Sequence, residues 1–476
     1  MIDLPTIPPA HRWASILSQA VPLAITGRVV GIRGTTIAAS GMPAPVGAVV
    51  RIRRSSGEAT TAEVIGFDGS QCLLTPLEAT GGVSPGDVVE LVRTVRTVPV
   101  CEEMIGRVLD ADGRVMDDLP PLPPSPRVPC DAAAVPALDR PPIDQILPTG
   151  VRAIDSLLTI GRGQRIGIFA GSGVGKSTLL GMLARGTQAD VVVIGLIGER
   201  GREVLEFLQR DLGEEGRRKC VTVVATSDTP APKRILAAKT ATAIAEAFRD
   251  RGKSVLLLMD SVTRFAMAQR EVGLAAGEVP TTRGYPPSVF AMLPQLVERT
   301  GRSKRGSITA IYTVLVEGDD ANEPISDALR GLLDGHLHLS RSIAASGRYP
   351  AIDVLPSLSR LQNVLVDPAH REAAARLRQW MATYAENEDL INIGAYARGS
   401  NPQIDEAIAR RESIQKFLAQ EQHRVVAWAE MTSQLSGVAA AAPAVQAAQT
   451  ADAAKLASTA TPQPAATQGV ARRAAA

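Results

Sequence analysis

The chain has 476 residues, of which 45% are apolar and only 3% aromatic, and its 51 basic and 49 acidic side chains leave a net charge of +2. That length exceeds what one hydrophobic core organises, so two or three domains are expected. The balanced charge gives no strong case for a nucleic-acid partner or an anionic membrane. No run of about twenty apolar residues occurs, which excludes a spanning helix, and the start at Met1 lacks the basic flank and apolar stretch of a secretory leader.

In chain order, residues 1–22 contain a short helical pattern in which Trp13, Ile16, Leu17 and Ala20 share a face. It reads as a docking helix or as a helix packed on its own domain. Residues 23–98 change character. Val/Ile-rich runs at 26–32, 48–53, 63–67, 72–76 and 88–92 alternate with Gly-bearing turns, which predicts a small β-barrel. Phe67 is its single aromatic residue, so the barrel lacks the stacking platform that an oligonucleotide needs. Residues 99–149 form a connector rich in proline, with Pro120, Pro121, Pro123 and Pro124 close together.

From 150 to 368 apolar strands alternate with helical stretches. Strands are expected at 165–170, 191–197, 221–226, 255–259 and 308–316, continuous apolar runs of the kind a parallel sheet covered on both faces requires. His336 and His338 alternate within 335–339 and read as strand residues rather than ligands. Residues 369–436 are mostly helical, with Ile414, Phe417, Leu418, Val425 and Trp428 as an apolar stripe on one last long helix. The stretch 437–476 collapses into Ala, Thr, Gln and Pro and is expected to be disordered. The cysteines Cys72, Cys101, Cys130 and Cys220 lie far apart with no C-x-x-C pair, so reduced, buried thiols in a cytosolic compartment are expected.

The strongest chemical signal is Gly171, Ser172, Gly173, Val174, Gly175, Lys176, Ser177 and Thr178, which follow an apolar strand and open a helix. Such a P-loop turns backbone N–H groups inward around phosphate, and the helix N-terminus adds its positive end. Lys176 would reach the β- and γ-phosphates of a nucleotide, and the Ser177 hydroxyl would ligate Mg²⁺. Ala170 stands where the strict motif has Gly, which is compatible if its φ is negative. Asp260 ends the strand at 255–259 and would hold Mg²⁺ on the same sheet edge. Glu199 and Glu203 follow the strand at 191–197. Either an acidic group there orients the attacking water, or both residues cap the next helix.

The segments 161–178, 196–204, 258–270 and 273–290, with Asp319, Asp320, Asn322, Glu323 and Pro324, resemble the flagellum-specific export ATPases. The type III secretion ATPases are their relatives and the rotary ATP synthase catalytic subunit a more distant one. The resemblance spans residues 24–428. It implies an α/β fold: an N-terminal β-barrel, a RecA-like core with a parallel sheet, and a C-terminal helical domain. It further implies a homohexamer with ATP and Mg²⁺ bound between subunits. Glu199 falls on the family's catalytic glutamate, Arg360 on the arginine a neighbouring subunit inserts towards the γ-phosphate, and Tyr349 on the adenine-stacking aromatic. Gln422 stands near the position of a second adenine-pocket aromatic of the ATP synthase, a departure from the pattern. The loop 273–287 would lie near the central channel. Implied partners are a regulator protein at the N-terminal segment, the export gate, and export substrates or chaperones. The implied location is cytoplasmic, peripheral to the inner membrane. An injectisome ATPase, a hexameric RNA translocase and a non-catalytic ring subunit are the alternatives. The barrel's single aromatic, Phe67, argues against the second, and Glu199 with Arg360 against the third.

Overall fold

The computed structural model describes residues 25–316 and 323–440. The docking segment read at residues 1–22, the motif residues Asp319, Asp320 and Asn322, and the tail from 441 onward lie outside the described residues. Six strands, β1 (Thr26–Arg33), β2 (Thr36–Ser40), β3 (Val49–Arg53), β4 (Ala59–Asp68), β5 (Gln71–Pro76) and β6 (Val88–Arg93), close into an antiparallel barrel in the order β1-β2-β5-β4-β3-β6. Val50 and Ile52, Ala62 and Val64, and Cys72 and Leu74 point inward on β3, β4 and β5 and fill it. Closure leaves no strand edge unpaired. Five of these strands follow from the Val/Ile runs. β2 does not, because after Thr36 and Ile37 it consists of Ala38, Ala39 and Ser40, small side chains that carry little strand signal.

Three short strands belong to the connector: β7 (Thr97–Pro99) pairs with β9 (Arg127–Pro129), and β8 (Val108–Leu109) extends the core sheet. That sheet contains β10 (Arg165–Ala170), β11 (Val191–Ile197), β12 (Cys220–Ala225), β13 (Ser254–Asp260), β14 (Gly301–Arg302), β15 (Ser307–Leu315), β16 (Gly335–Leu339) and β17 (Ile352–Ser359). The order is β17-β16-β10-β15-β13-β11-β12-β8, with β14 against β15. All pairs are parallel except β14 with β15 and β16 with β17. β11 and β12 are buried along their whole length, as a sheet covered on both faces demands. One face packs on the helices Ala231–Asp250, Val262–Ala275 and Pro287–Glu298. The other packs on Arg152–Leu157, Lys176–Gly186 and the C-terminal helices.

The C-terminal helices are Pro368–Asn392, Pro402–Leu418 and Trp428–Ala440. This corrects the reading of one long apolar stripe. Ile414, Phe417 and Leu418 are buried on the middle helix, which stops at Leu418. Val425 lies in the strap 419–427 and is 51% exposed, and Trp428 begins a separate helix and stacks on His370. In the strap the backbone N–H groups of Gln420 and Val426 bond to the carbonyls of Tyr349 and Gly150 instead of continuing the helical ladder. The last helix also continues past Gly437 to Ala440, since Leu435 and Ala439 still find the core. The four cysteines are free and buried. Among the described residues no helix is long and apolar enough to cross a membrane.

Candidate active site

The carboxyl ends of β10, β15, β13 and β11 lie side by side, and the chemistry-bearing residues leave the sheet along this edge. Ala170 pairs with Leu315 and Leu339, and Asp260 with Leu196. The loop after β10 turns back through Gly173 (φ +79°) and Gly175 (φ +87°), and Gly175 caps the helix Lys176–Gly186. That left-handed backbone favours glycine and lets successive N–H groups converge. Ala170 keeps a negative φ as the last residue of β10, so the departure from the strict motif costs nothing. Val174 is buried and anchors the loop, Ser172 and Gly173 are exposed, and Ser177 and Thr178 lie in the first turn of the helix. The Thr178 hydroxyl bonds to Asp211.

Lys176, Asp260 and Glu199 come from three elements and meet at one point. The Lys176 Nζ lies 2.5 Å from Asp260 Oδ1 and 3.4 Å from Glu199 Oε1. Burial opposes the lysine charge, but the two carboxylates outweigh it and hold the ammonium above its ordinary value. Thr313 on β15 donates its hydroxyl to Asp260 Oδ1 at 2.6 Å and fixes that carboxylate. Burial lifts Glu199 to about 7, against the opposing pull of Lys176 and with added repulsion from Asp260. Of the two readings of the acidic pair, the geometry separates the residues. Glu203 sits in the first turn of the helix Gly201–Glu206, whereas Glu199 precedes the cap and turns towards Lys176. Among the described residues no group of three or more His, Cys, Asp or Glu could hold a metal alone. Mg²⁺ needs only one or two protein carboxylates when phosphates and water complete its shell, and the hydroxyl and carboxylate oxygens of Ser177 and Asp260 are the hard donors it takes.

Tyr349 is brought to this loop and Arg360 is not. A Cβ on Gly175 would stand 3.3 Å from Tyr349 Cε1 and 3.4 Å from its Cδ1, so the aromatic ring lies beside the phosphate loop. It is 45% exposed. β17 runs antiparallel to β16. Ile352 at its start pairs with Leu339 near the loop, and Ser359 at its end pairs with Gly335. Gly335 is level with Ile166 of β10, so Arg360 leaves the sheet about 13 Å below Ala170, on the opposite edge. The residue is exposed, and its guanidinium bonds to the Arg330 carbonyl at 3.4 Å. It cannot serve the phosphate loop of its own chain.

The sequence matches three family descriptions in succession: ATP synthase alpha/beta family, beta-barrel domain, over residues 29–92; the nucleotide-binding domain of that family over 150–359; and T3SS EscN ATPase C-terminal domain over 366–437. It is 52% identical to the flagellum-specific ATP synthase of Bacillus subtilis, across 83% of this chain and 90% of that protein. The chain belongs to the flagellar and type III secretion ATPase family. The type 3 secretion system ATPase of Xanthomonas euvesicatoria is 50% identical across 87% of this chain and 93% of its own. The assembled ATPase EscN from the enteropathogenic E. coli type III secretion system superposes with a TM-score of 0.81 at 46% identity, covering 87% of this chain and 100% of EscN. EscN is also solved in complex with its central stalk EscO, with the same score. Membership makes the chain a nucleotide-binding ATP hydrolase.

Three residues of this ATPase escaped the sequence reading. Thr313 left a trace, because a threonine inside a fully buried strand must find a polar partner. Asp211 and Gln420 left none, since their partners lie in other elements. Gln422, noted as a departure from the adenine pocket, donates to Asp211 at 3.3 Å, and its carbonyl accepts from Arg185 at 2.6 Å. It is tied behind the phosphate loop's helix.

Proposed function

We propose that this ATPase works in the flagellar export apparatus as a homohexameric ring that hydrolyses ATP with Mg²⁺ at the seams between subunits. The observation that carries the reading is the separation of Arg360 from the cluster of Lys176, Glu199 and Asp260 within one chain. A second copy could present its Arg360 where the first cannot.

In this reading the N–H groups of Gly171–Thr178 and the Lys176 ammonium hold the triphosphate, and Tyr349 stacks on the adenine. Ser177 and Asp260 would hold Mg²⁺, which when bound neutralises phosphate charge. Glu199, lifted to about 7, is a stronger base than an ordinary carboxylate and orients the attacking water. The water oxygen forms a bond to the γ-phosphorus as the bond to the bridging oxygen breaks, giving ADP and inorganic phosphate. Arg360 of the neighbouring copy offsets the charge on the transferring group, an effect of about 10³–10⁵ in rate for such a finger. Proteins with Lys176→Ala and Arg360→Ala should each be nearly inactive and regain activity when mixed, because a mixed seam joins one intact loop to one intact finger. Intact rings that recover no phosphate release at any ratio would refute the shared site.

A further inference from the structure

The strap 419–427 crosses beside Tyr349, and one of its side chains carries an unusually complete set of hydrogen bonds. Gln420 is buried, with 6% exposure. Its Oε1 accepts the Arg152 N–H at 2.8 Å, and its Nε2 donates to the carbonyls of Gly150 and Arg424, each at 2.7 Å. One partner can only donate and two can only accept, so the amide has a single orientation. The backbone N–H of the same residue donates to the Tyr349 carbonyl at 2.8 Å.

The far side of this clamp is rigid. Asp155 accepts the N–H groups of Thr149 and Gly150 at 2.8 and 3.0 Å and the Thr149 hydroxyl at 2.7 Å. Gly150 has φ +75°, and a Cβ there would lie 2.7 Å from Val425 Cγ1, so the turn and the strap are in direct contact. Val426 donates to the Gly150 carbonyl at 3.1 Å, and the Arg152 guanidinium donates to the Phe417 carbonyl at 2.9 Å. A continuous path therefore runs from a buried turn of the core, through the Gln420 amide, to the backbone of the aromatic residue that lies beside the phosphate loop. The Gln420 amide uses both of its N–H donors and its oxygen, and a buried polar network of this kind loses heavily if such a member is removed.

We infer that Gln420 is a positioning residue for the nucleotide base: it holds Tyr349 beside the phosphate loop and so sets affinity through the base, not through the phosphates. The inference rests on the reading of Tyr349 as the base contact. Gln420→Met keeps the side-chain volume and removes the donors and the acceptor; Gln420→Ala removes both volume and polarity. Each is assayed in the full chain, after ring assembly is verified, with ATP–Mg²⁺ as substrate and inorganic tripolyphosphate as a competitor that has no base.

The KM for ATP should rise about three- to tenfold, the size of one aromatic stacking contact, with kcat changed less than about twofold. Inhibition by tripolyphosphate should stay as in the parent, and Gln420→Met should add nothing in a Tyr349→Ala background. Equal weakening of ATP and tripolyphosphate, or additive effects with Tyr349→Ala, would overturn the inference, because the clamp would then support the loop or the fold at large. A raised KM in Tyr349→Ala with both Gln420 variants unmoved overturns the role of Gln420 alone. A Tyr349→Ala protein with unchanged KM overturns the base-contact reading itself. In the unmodified protein, hydrogen exchange at the Gln420 amide should slow with a non-hydrolysable ATP analogue and not with tripolyphosphate; equal protection by both also overturns the inference.

Discussion

Replacing Glu199 by Gln changes one charge and almost no volume, and the structure assigns opposite signs to its effects on stability and on turnover. Burial holds this carboxyl at about 7 against an ordinary 4.5. That gap is worth about 3 kcal/mol against the ionised folded state. Below about pH 4.5 the group is protonated in both the folded and the unfolded chain, so Glu and Gln are equivalent. Between about 4.5 and 7 the unfolded chain gives up its proton first, and the parent protein loses stability as the pH rises. Above that window the deficit is constant. The Gln variant never carries the charge. After allowing for the weakened contact to Lys176, it should be more stable than the parent by about 1–3 kcal/mol at pH 8. Melting curves at pH 5 and pH 8 test this: the variant should melt about 3–10 °C higher at pH 8, with the difference shrinking towards acid. Phosphate release at saturating ATP–Mg²⁺ should fall by about 10²–10⁴ while nucleotide binding persists. A variant less stable than the parent at pH 8, or one with parental turnover, would refute the reasoning.

Two further outcomes are expected. Glu246 and Arg299 form a buried bidentate pair, with contacts of 2.6 and 3.0 Å and side chains 7% and 5% exposed, beneath the helix Pro287–Glu298. Glu246→Gln should cost about 3 kcal/mol in denaturant titration by leaving the guanidinium charge unbalanced, and the double replacement by Met should recover most of it. Deleting the gene should abolish motility; intact motility with lost secretion of effector proteins would move the assignment to the injectisome machine.

The phosphate loop was legible in the residues because its chemistry is local: a glycine pattern, a lysine, and the strand and helix on either side occupy adjacent positions. The core strands were legible for a similar reason, since full burial imposes unbroken apolar runs such as Val191–Ile197. β2 and β17 were not read as strands. β2 is carried by small residues, and β17 alternates buried and exposed positions with Pro356 inside it, a pattern tolerated at the edge of a sheet. The apolar stripe through Val425 and Trp428 failed because helical periodicity can continue across a break in the helix.

The order of residues along the chain was enough to determine the family, the nucleotide-binding loop and the acidic residues that follow two buried strands, because strand, loop and helix positions encode them directly. Tertiary structure alone decided which of those residues meet. It turned Glu199 rather than Glu203 towards Lys176, set Thr313 against Asp260, and brought Gln420 from the C-terminal strap to Tyr349. It also carried Arg360 to the opposite sheet edge, because β17 runs antiparallel to β16. Contacts between elements hundreds of residues apart depend on strand order and register, and neither is written in any local stretch of sequence.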